Sequence, residues 1–273
     1  MTLHFENAEF DDLLLSIYKR HGYDFQNYSR SSLKRRILRI ADKYRLSSLY
    51  DLKFRLLNED EFFTEFLQNI TVNVTEMFRD PLFYKALKEK VFPQLATYPF
   101  LKIWHAGCST GEEVFSMAIL LHEAGLLKRT KLYATDINPL ALHKAKQGIF
   151  PLKNLKEYTQ NYIKAGGHED FSDYYTAHYD NVIFDDFLKT NMVFSLHNLV
   201  ADQSFNEFNL ILCRNVLIYF DKPLQDRVIK LFTRSLCMLG YLGLGTKESL
   251  LFTDVRNHYK TIDLNAKIYK RIQ

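Results

Sequence analysis

The sequence predicts an α/β protein: a mostly parallel sheet with helices on both faces, preceded by a small all-helical domain and carrying a small β insertion. Three observations carry this. No glycine occurs between Gly22 and Gly107, and apolar residues recur there at helical spacing. At Leu101 an apolar run enters a glycine-containing turn and then a second helical pattern. From there on, strand and helix signals alternate.

The helical domain is expected over 1–75. Its clearest element is a helix over 31–45, with Ser31 or Ser32 as the cap. Leu33, Ile37, Ile40, Ala41 and Tyr44 share one face at about 100° per residue. Arg35, Arg36, Arg39 and Lys43 share the opposite face, which reads either as a solvated surface or as a docking face for an acidic partner. Residues 76–100 form a linker that becomes a helix, with Pro81 near its start and Pro93 and Pro99 beyond its end. The sheet domain follows over 101–273. Strands are expected at 101–105, 131–135, 192–196, 208–213, 239–245 and 267–272, with helices at 112–124, 138–146 and 222–238. The polar, tyrosine-rich stretch 152–190 breaks this rhythm and reads as an insertion beside the ligand edge.

The most informative segment is Leu101-Lys-Ile-Trp-His-Ala-Gly-Cys-Ser-Thr-Gly-Glu-Glu113. A strand, a glycine turn and a helix start present free N–H groups to a ligand. A second strand ends in Asp136, where a carboxylate can hold two ribose hydroxyls. The phosphate spacings are missing: there is no G-x-G-x-x-G, and Glu112 and Glu113 would repel a pyrophosphate. A nucleoside with a cationic tail fits better, and S-adenosylmethionine answers that description.

A second constellation is Asn209-Leu-Ile-Leu-Cys-Arg-Asn-Val-Leu-Ile-Tyr-Phe-Asp221. Here an apolar strand runs straight into Cys213, Arg214 and Asn215. Open α/β sheets bind ligands at such strand ends. The alternative is that Arg214 and Asn215 cap the next helix, although Arg is a poor cap. A third cluster, Asn73-Val-Thr-Glu-Met-Phe-Arg79, precedes the sheet domain and is otherwise readable as turn chemistry.

Composition bounds the function. The chain has 273 residues, is 47% apolar and has a net charge of +4, too little basic excess to argue for nucleic acid. The three cysteines are widely spaced and form no zinc or disulfide pattern, so neither a metal nor an oxidising compartment is expected. No apolar stretch reaches membrane-spanning length and the N-terminus lacks a signal region, so a cytoplasmic protein with no direct membrane insertion is expected.

Asn73-x-Thr75-x-x-Phe78-Arg79, Ser109-Thr-Gly-Glu-Glu113, Asp136, Asn198-Leu199 and Cys213-to-Asp221 stand in the order and spacing of a known family. Through them the chain resembles the CheR-type chemotaxis receptor methyltransferases, along nearly its whole length. The resemblance implies a Rossmann-like S-adenosylmethionine-dependent domain. It implies methyl transfer to glutamate side chains of a receptor or other signalling protein, within a helical cytoplasmic region, with S-adenosyl-L-homocysteine as product. It implies that Asn73, Thr75 and Arg79 line the active site, that Glu113 holds the methionine ammonium and Asp136 the ribose. Asn198 and Leu199 would flank the adenine, Arg214 and Asn215 would complete the pocket, and Arg79 and Tyr219 would address the substrate carboxylate. The chain departs from the family at Val114-Phe115, where Pro-Tyr is usual, and at Gly245-Thr-Lys-Glu248, in place of Gly-x-Ser-Glu. Its insertion, over about 162–194, is also longer than the receptor-docking part it should match. Two other readings are a methyltransferase acting on a different protein and a binding module that senses the cofactor.

Overall fold

The structure, a computed structural model, describes residues 6–71 and 74–273. The chain forms two compact units. One holds the N-terminal helices together with Tyr219–Gln225, and the other holds the remainder from Val74 onward.

The first unit contains α1 (Asn7–His21), α2 (Arg30–Lys43), α3 (Leu49–Asn58) and α4 (Asp60–Ile70). The starts of α1 and α3 are locally encoded. Glu6 and Glu9 form a capping box on α1, and Gly22, at φ 79°, closes it. Ser48 caps α3 by accepting from the Asp51 N–H at 3.0 Å. The cap of α2 is Ser29, not the expected Ser31 or Ser32, and its side chain makes no capping bond. The predicted apolar face of α2 is buried through Leu33, Ile37, Ile40 and Ala41. It packs in a core with Phe10, Leu13, Phe25, Phe63 and Phe66.

The basic face of α2 is not uniform. Arg36 donates to the Ile70 carbonyl, and its guanidinium lies 4.8 Å from the centre of the Tyr219 ring. Lys43 pairs with Glu65. Arg35 and Arg39 remain exposed. Tyr219–Gln225 is stitched into this unit by backbone. Ser29 N–H donates to Tyr219 O at 2.8 Å, Asp221 N–H donates to Asn27 O at 3.0 Å, and Tyr28 bridges Phe220.

The second unit opens with α5 (Pro81–Lys90) and α6 (Phe92–Leu95). There follow β1 (Leu101–Ala106), α7 (Glu112–Glu123), β2 (Thr130–Asp136) and α8 (Pro139–Gln147). The insertion comes next: β3 (Ile149–Pro151), α9 (Leu155–Lys164), β4 (Tyr175–His178), β5 (Asn181–Phe184) and α10 (Asp186–Lys189). The chain closes with β6 (Met192–Leu196), β7 (Phe208–Cys213), α11 (Lys222–Ser235), β8 (Leu236–Leu244), β9 (Tyr259–Asp263) and β10 (Ile268–Arg271). Two boundaries differ from expectation. The final helix stops at Ser235, and strand β8 starts at Leu236, where 236–238 was expected to be helical. β9 was not anticipated.

The main sheet has seven strands in the order β6-β2-β1-β7-β8-β10-β9. β10 pairs antiparallel with β8 and β9, and the other neighbours are parallel. The strand order reverses between β1 and β7, which makes the carboxyl ends of those two strands the place where such a sheet opens to a ligand. Fully buried Trp104 donates its indole N–H to Thr135 Oγ1 at 2.8 Å and ties β1 to β2. The insertion forms its own antiparallel sheet, β3-β5-β4.

Candidate functional site

The site is built at the carboxyl ends of β1, β2 and β7. After β1 the chain turns through Gly107 (φ 79°) and Gly111 (φ 98°), both in the left-handed region. A Cβ at Gly107 would stand 2.5 Å from Val216 Cγ2, and one at Gly111 would stand 2.9 Å from Ala145 Cβ. These glycines therefore let the turn pack against its neighbours. Ser109, also left-handed at φ 52°, aims its N–H at Asp136 Oδ2, 2.8 Å away. The other carboxylate oxygen of Asp136 accepts from the Asn138 N–H at 2.9 Å, and Asn138 in turn caps α8. Burial pushes the Asp136 carboxyl up from 3.8, with these backbone bonds opposing. Backbone N–H groups of Asn138, Ser109 and Ile137 thus hold the carboxylate in place at the end of β2.

Glu112 and Glu113 start α7, where a carboxylate complements the helix dipole. Their surroundings drive them apart. For Glu113, burial alone would raise the carboxyl. A hydrogen bond from His105 Nδ1 at 2.9 Å and the Arg214 charge outweigh burial and hold it below 4.5. Arg214 is the hub. Its side chain is 2% exposed and lies 3.3 Å from Glu113 Oε2 and 2.8 Å from Asp80 Oδ2. It also donates to the Arg79 carbonyl at 2.9 Å, with its guanidinium 4.1 Å from the Phe83 ring centre. This network joins the glycine turn to the loop before α5. That loop is held at the buried Phe78, whose N–H donates to Ser116 Oγ at 2.9 Å.

Glu112 is the contrasting group. It is buried, is held by the Thr110 hydroxyl at 2.7 Å, and its carboxyl is pushed up from 4.5 to about 7, chiefly by burial. Below pH 4.5 the folded and unfolded chains both carry this proton. As pH rises from there to about 7, the unfolded chain releases it first and the fold loses stability, by at most about 3 kcal/mol. Glu112→Gln is therefore expected to raise the melting temperature by several degrees at pH 8 and by far less near pH 5. Melts that shift equally at both pH values would contradict this.

The expected residues fall unevenly. Arg79, Glu113 and Arg214 share one network, and Asp136 faces the same turn. Thr75 is half-buried in the segment that leads to Arg79 and α5. The Arg79 side chain donates to the Val74 carbonyl at 3.1 Å. Asn215, at φ 61°, donates its N–H to Glu248 Oε2 at 3.1 Å. Asn198 uses its side chain to accept from the Val200 N–H at 2.9 Å, and Leu199 is 9% exposed beside it. Tyr219 belongs to the helical unit, and Asn73 lies outside the described residues. Sequence reasoning missed His105 and Asp80, and named Glu248 only within a departure from the family pattern, with no role. The Glu248 carboxylate also takes the N–H groups of Val216 at 2.9 Å and Gly245 at 2.6 Å, and so braces the turn after β7. A buried polar residue at the end of an apolar strand was the available signal for His105.

The donor set suits a nucleoside with a cationic end: an ionised Glu113 and a backbone-held carboxylate at Asp136 stand at the turn, where two acidic residues disfavour a phosphate. Residues 73–268 match the family model described as "CheR methyltransferase, SAM binding domain", and residues 8–71 match "CheR methyltransferase, all-alpha domain". The Pseudomonas putida protein Cher3 is 48% identical over 259 residues, covering 95% of each chain. A "Chemotaxis protein methyltransferase" of Vibrio anguillarum is 30% identical over 276 residues, covering 98% of each. One of Listeria monocytogenes is 29% identical over 237 residues, covering 84% of this chain and 86% of its own.

Proposed function

Because the chain belongs to the CheR methyltransferase family, whose sheet domain binds S-adenosylmethionine, we propose that it methylates glutamate side chains of a helical, chemoreceptor-like signalling protein. The observation that supports this best is the network of Glu113, Arg214, Asp80 and the Arg79 backbone. It runs from an ionised carboxylate suited to a cationic cofactor to the arginine suited to an anionic substrate.

In this reading Glu113 holds the ammonium and Asp136 the ribose. Asn73 and Thr75 line the cofactor, Asn198 and Leu199 flank the adenine, and Arg214 and Asn215 complete its pocket. Bound S-adenosylmethionine supplies an electrophilic methyl group on a sulfonium. A substrate glutamate is already an anion at neutral pH, so no residue has to act as base. Arg79 and Tyr219 fix the plane of that carboxylate for in-line attack. One carbon–oxygen bond forms as the carbon–sulfur bond breaks. The opposite charges cancel and no proton is released, so a dry site favours the step.

The direct test is to incubate the protein with methyl-labelled cofactor and a membrane-plus-cytosol lysate. Label released as methanol by mild base identifies a carboxyl methyl ester. Label that survives base would overturn the glutamate reading and favour a different acceptor.

Asp136→Ala is expected to weaken S-adenosylmethionine binding by about 1.5–3 kcal/mol, the worth of hydrogen bonds to a charged group. Unchanged affinity by calorimetry would remove Asp136 from the ribose.

For the protein partner, exposed Arg35 and Arg39 on α2 supply charge that an acidic helical substrate would feel. Steering of this kind is screened over about 8 Å at physiological salt. Reversing both to Glu is expected to raise the substrate KM and flatten its salt dependence while sparing cofactor binding. Identical salt curves for wild type and variant would make this face ordinary surface.

A further inference from the structure

His105 lies on β1 and is fully buried, and no step of the proposed reaction uses it. Its Nδ1 is 2.9 Å from Glu113 Oε1. An ionised carboxylate only accepts, so Nδ1 carries the proton and donates. The other ring nitrogen, Nε2, is buried with no hydrogen-bond partner among the described residues. A second proton there would have no acceptor. The strand therefore accommodates a whole imidazole, with one polar atom unsatisfied, to deliver a single donor to Glu113. An apolar residue at this interior position would remove the unsatisfied ring nitrogen, but would also take the donor from Glu113 Oε1.

The two oxygens of Glu113 are gripped from opposite partners. His105 holds Oε1 from β1, and Arg214 approaches Oε2 from the end of β7. Arg214 also carries charge, which competes with any cation that Glu113 is to bind, and it divides that charge with Asp80. His105 orients the carboxylate while leaving one lone pair on each oxygen.

We infer that His105 is a positioning residue that presets Glu113 for the cationic amino-acid end of the cofactor. This rests on the role proposed above for Glu113. It makes a selective expectation: His105 matters for ligands that carry the ammonium and not for the nucleoside alone.

The experiment measures calorimetric affinities of the full chain for two ligands. S-adenosylhomocysteine has the amino-acid end, and 5′-methylthioadenosine lacks it. His105→Phe fills the volume without a donor, and His105→Asn places an amide N–H near the Nδ1 position. His105→Phe is expected to weaken S-adenosylhomocysteine binding about tenfold or more. It should leave 5′-methylthioadenosine within about twofold, and His105→Asn should recover most of the loss. If His105→Phe does not fold, His105→Gln, whose amide lies toward the Nε2 side, is measured in its place with the same expectation. Equal losses for both ligands would mean a merely structural role and overturn the inference, as would no loss at all or no recovery by His105→Asn. Glu113→Gln separates the two claims. If it leaves the preference between the ligands intact, the reading of Glu113 falls and takes His105 with it. If it erases the preference and His105→Phe does not, only the inference about His105 falls.

Discussion

Cutting Arg214 back to Ala is expected to destabilise the sheet domain by about 3–5 kcal/mol, because it removes the buried cation that pairs with both Glu113 and Asp80. The guanidinium also supports the Arg79 carbonyl and covers Phe83, so truncation removes packing as well as charge. Arg214→Lys keeps a charge but not the fork that reaches both carboxylates, and should recover only part of the loss. Urea unfolding measures the difference. The loss should shrink as pH falls into the carboxylate range, where protonation relieves the unpaired anions. A destabilisation below about 1 kcal/mol at neutral pH would show that the pair contributes little, as exposed pairs do.

Arg79→Ala is expected to lower turnover by roughly ten- to a hundredfold, since a hydrogen bond to a charged group is worth about 1.5–3 kcal/mol. Cofactor affinity should stay within a few-fold. The Arg79 contact in the Arg214 network is through its backbone carbonyl, which the substitution leaves in place. Tyr219→Phe should act in the same direction and less strongly. An interaction confined to the transition state lowers kcat and kcat/KM together. Steady-state kinetics beside calorimetry distinguishes the cases. A variant that simply loses the cofactor, or that keeps full turnover, would remove that residue from the transfer step.

Much of the architecture was legible because it is written in local pattern. The apolar run from Leu101 and the turn at Gly107 and Gly111 needed no tertiary information, nor did the periodicity that buries Leu33, Ile37 and Ile40. β8 was misread at its start because Leu236-Cys-Met continues the apolar spacing of the helix before it, and only pairing with β7 decides its state. β9 stayed hidden because its residues are mostly half-exposed and its partner β10 lies beyond a turn. Within the candidate site, the strand-end positions of Asp136 and Arg214 and the family resemblance at Glu113 were enough to single these residues out. What they touch was not visible. The Arg214–Asp80 pair spans 134 positions, and the Glu248 brace on Asn215 spans 33. Contacts so distant leave no periodic trace. Arg36 illustrates the same point: on a helical wheel it belongs with Arg35 and Arg39, but its side chain is drawn to Tyr219 and the end of α4.

The stitching of Tyr219–Gln225 onto the loop between α1 and α2 bears on how this protein is made. The helical unit is first in the chain but is not complete when its four helices have left the ribosome. Ser29 and Asn27 still lack backbone partners, and Tyr28 lacks Phe220, until most of the sheet domain has been translated. Domains usually fold in the order of synthesis. Here the last step in assembling the first unit waits on a distant segment, with the loop-closure entropy that implies. A nascent chain stalled before residue 219 should hold four helices with that loop unfinished and open to proteases, and one released after residue 225 should be protected there.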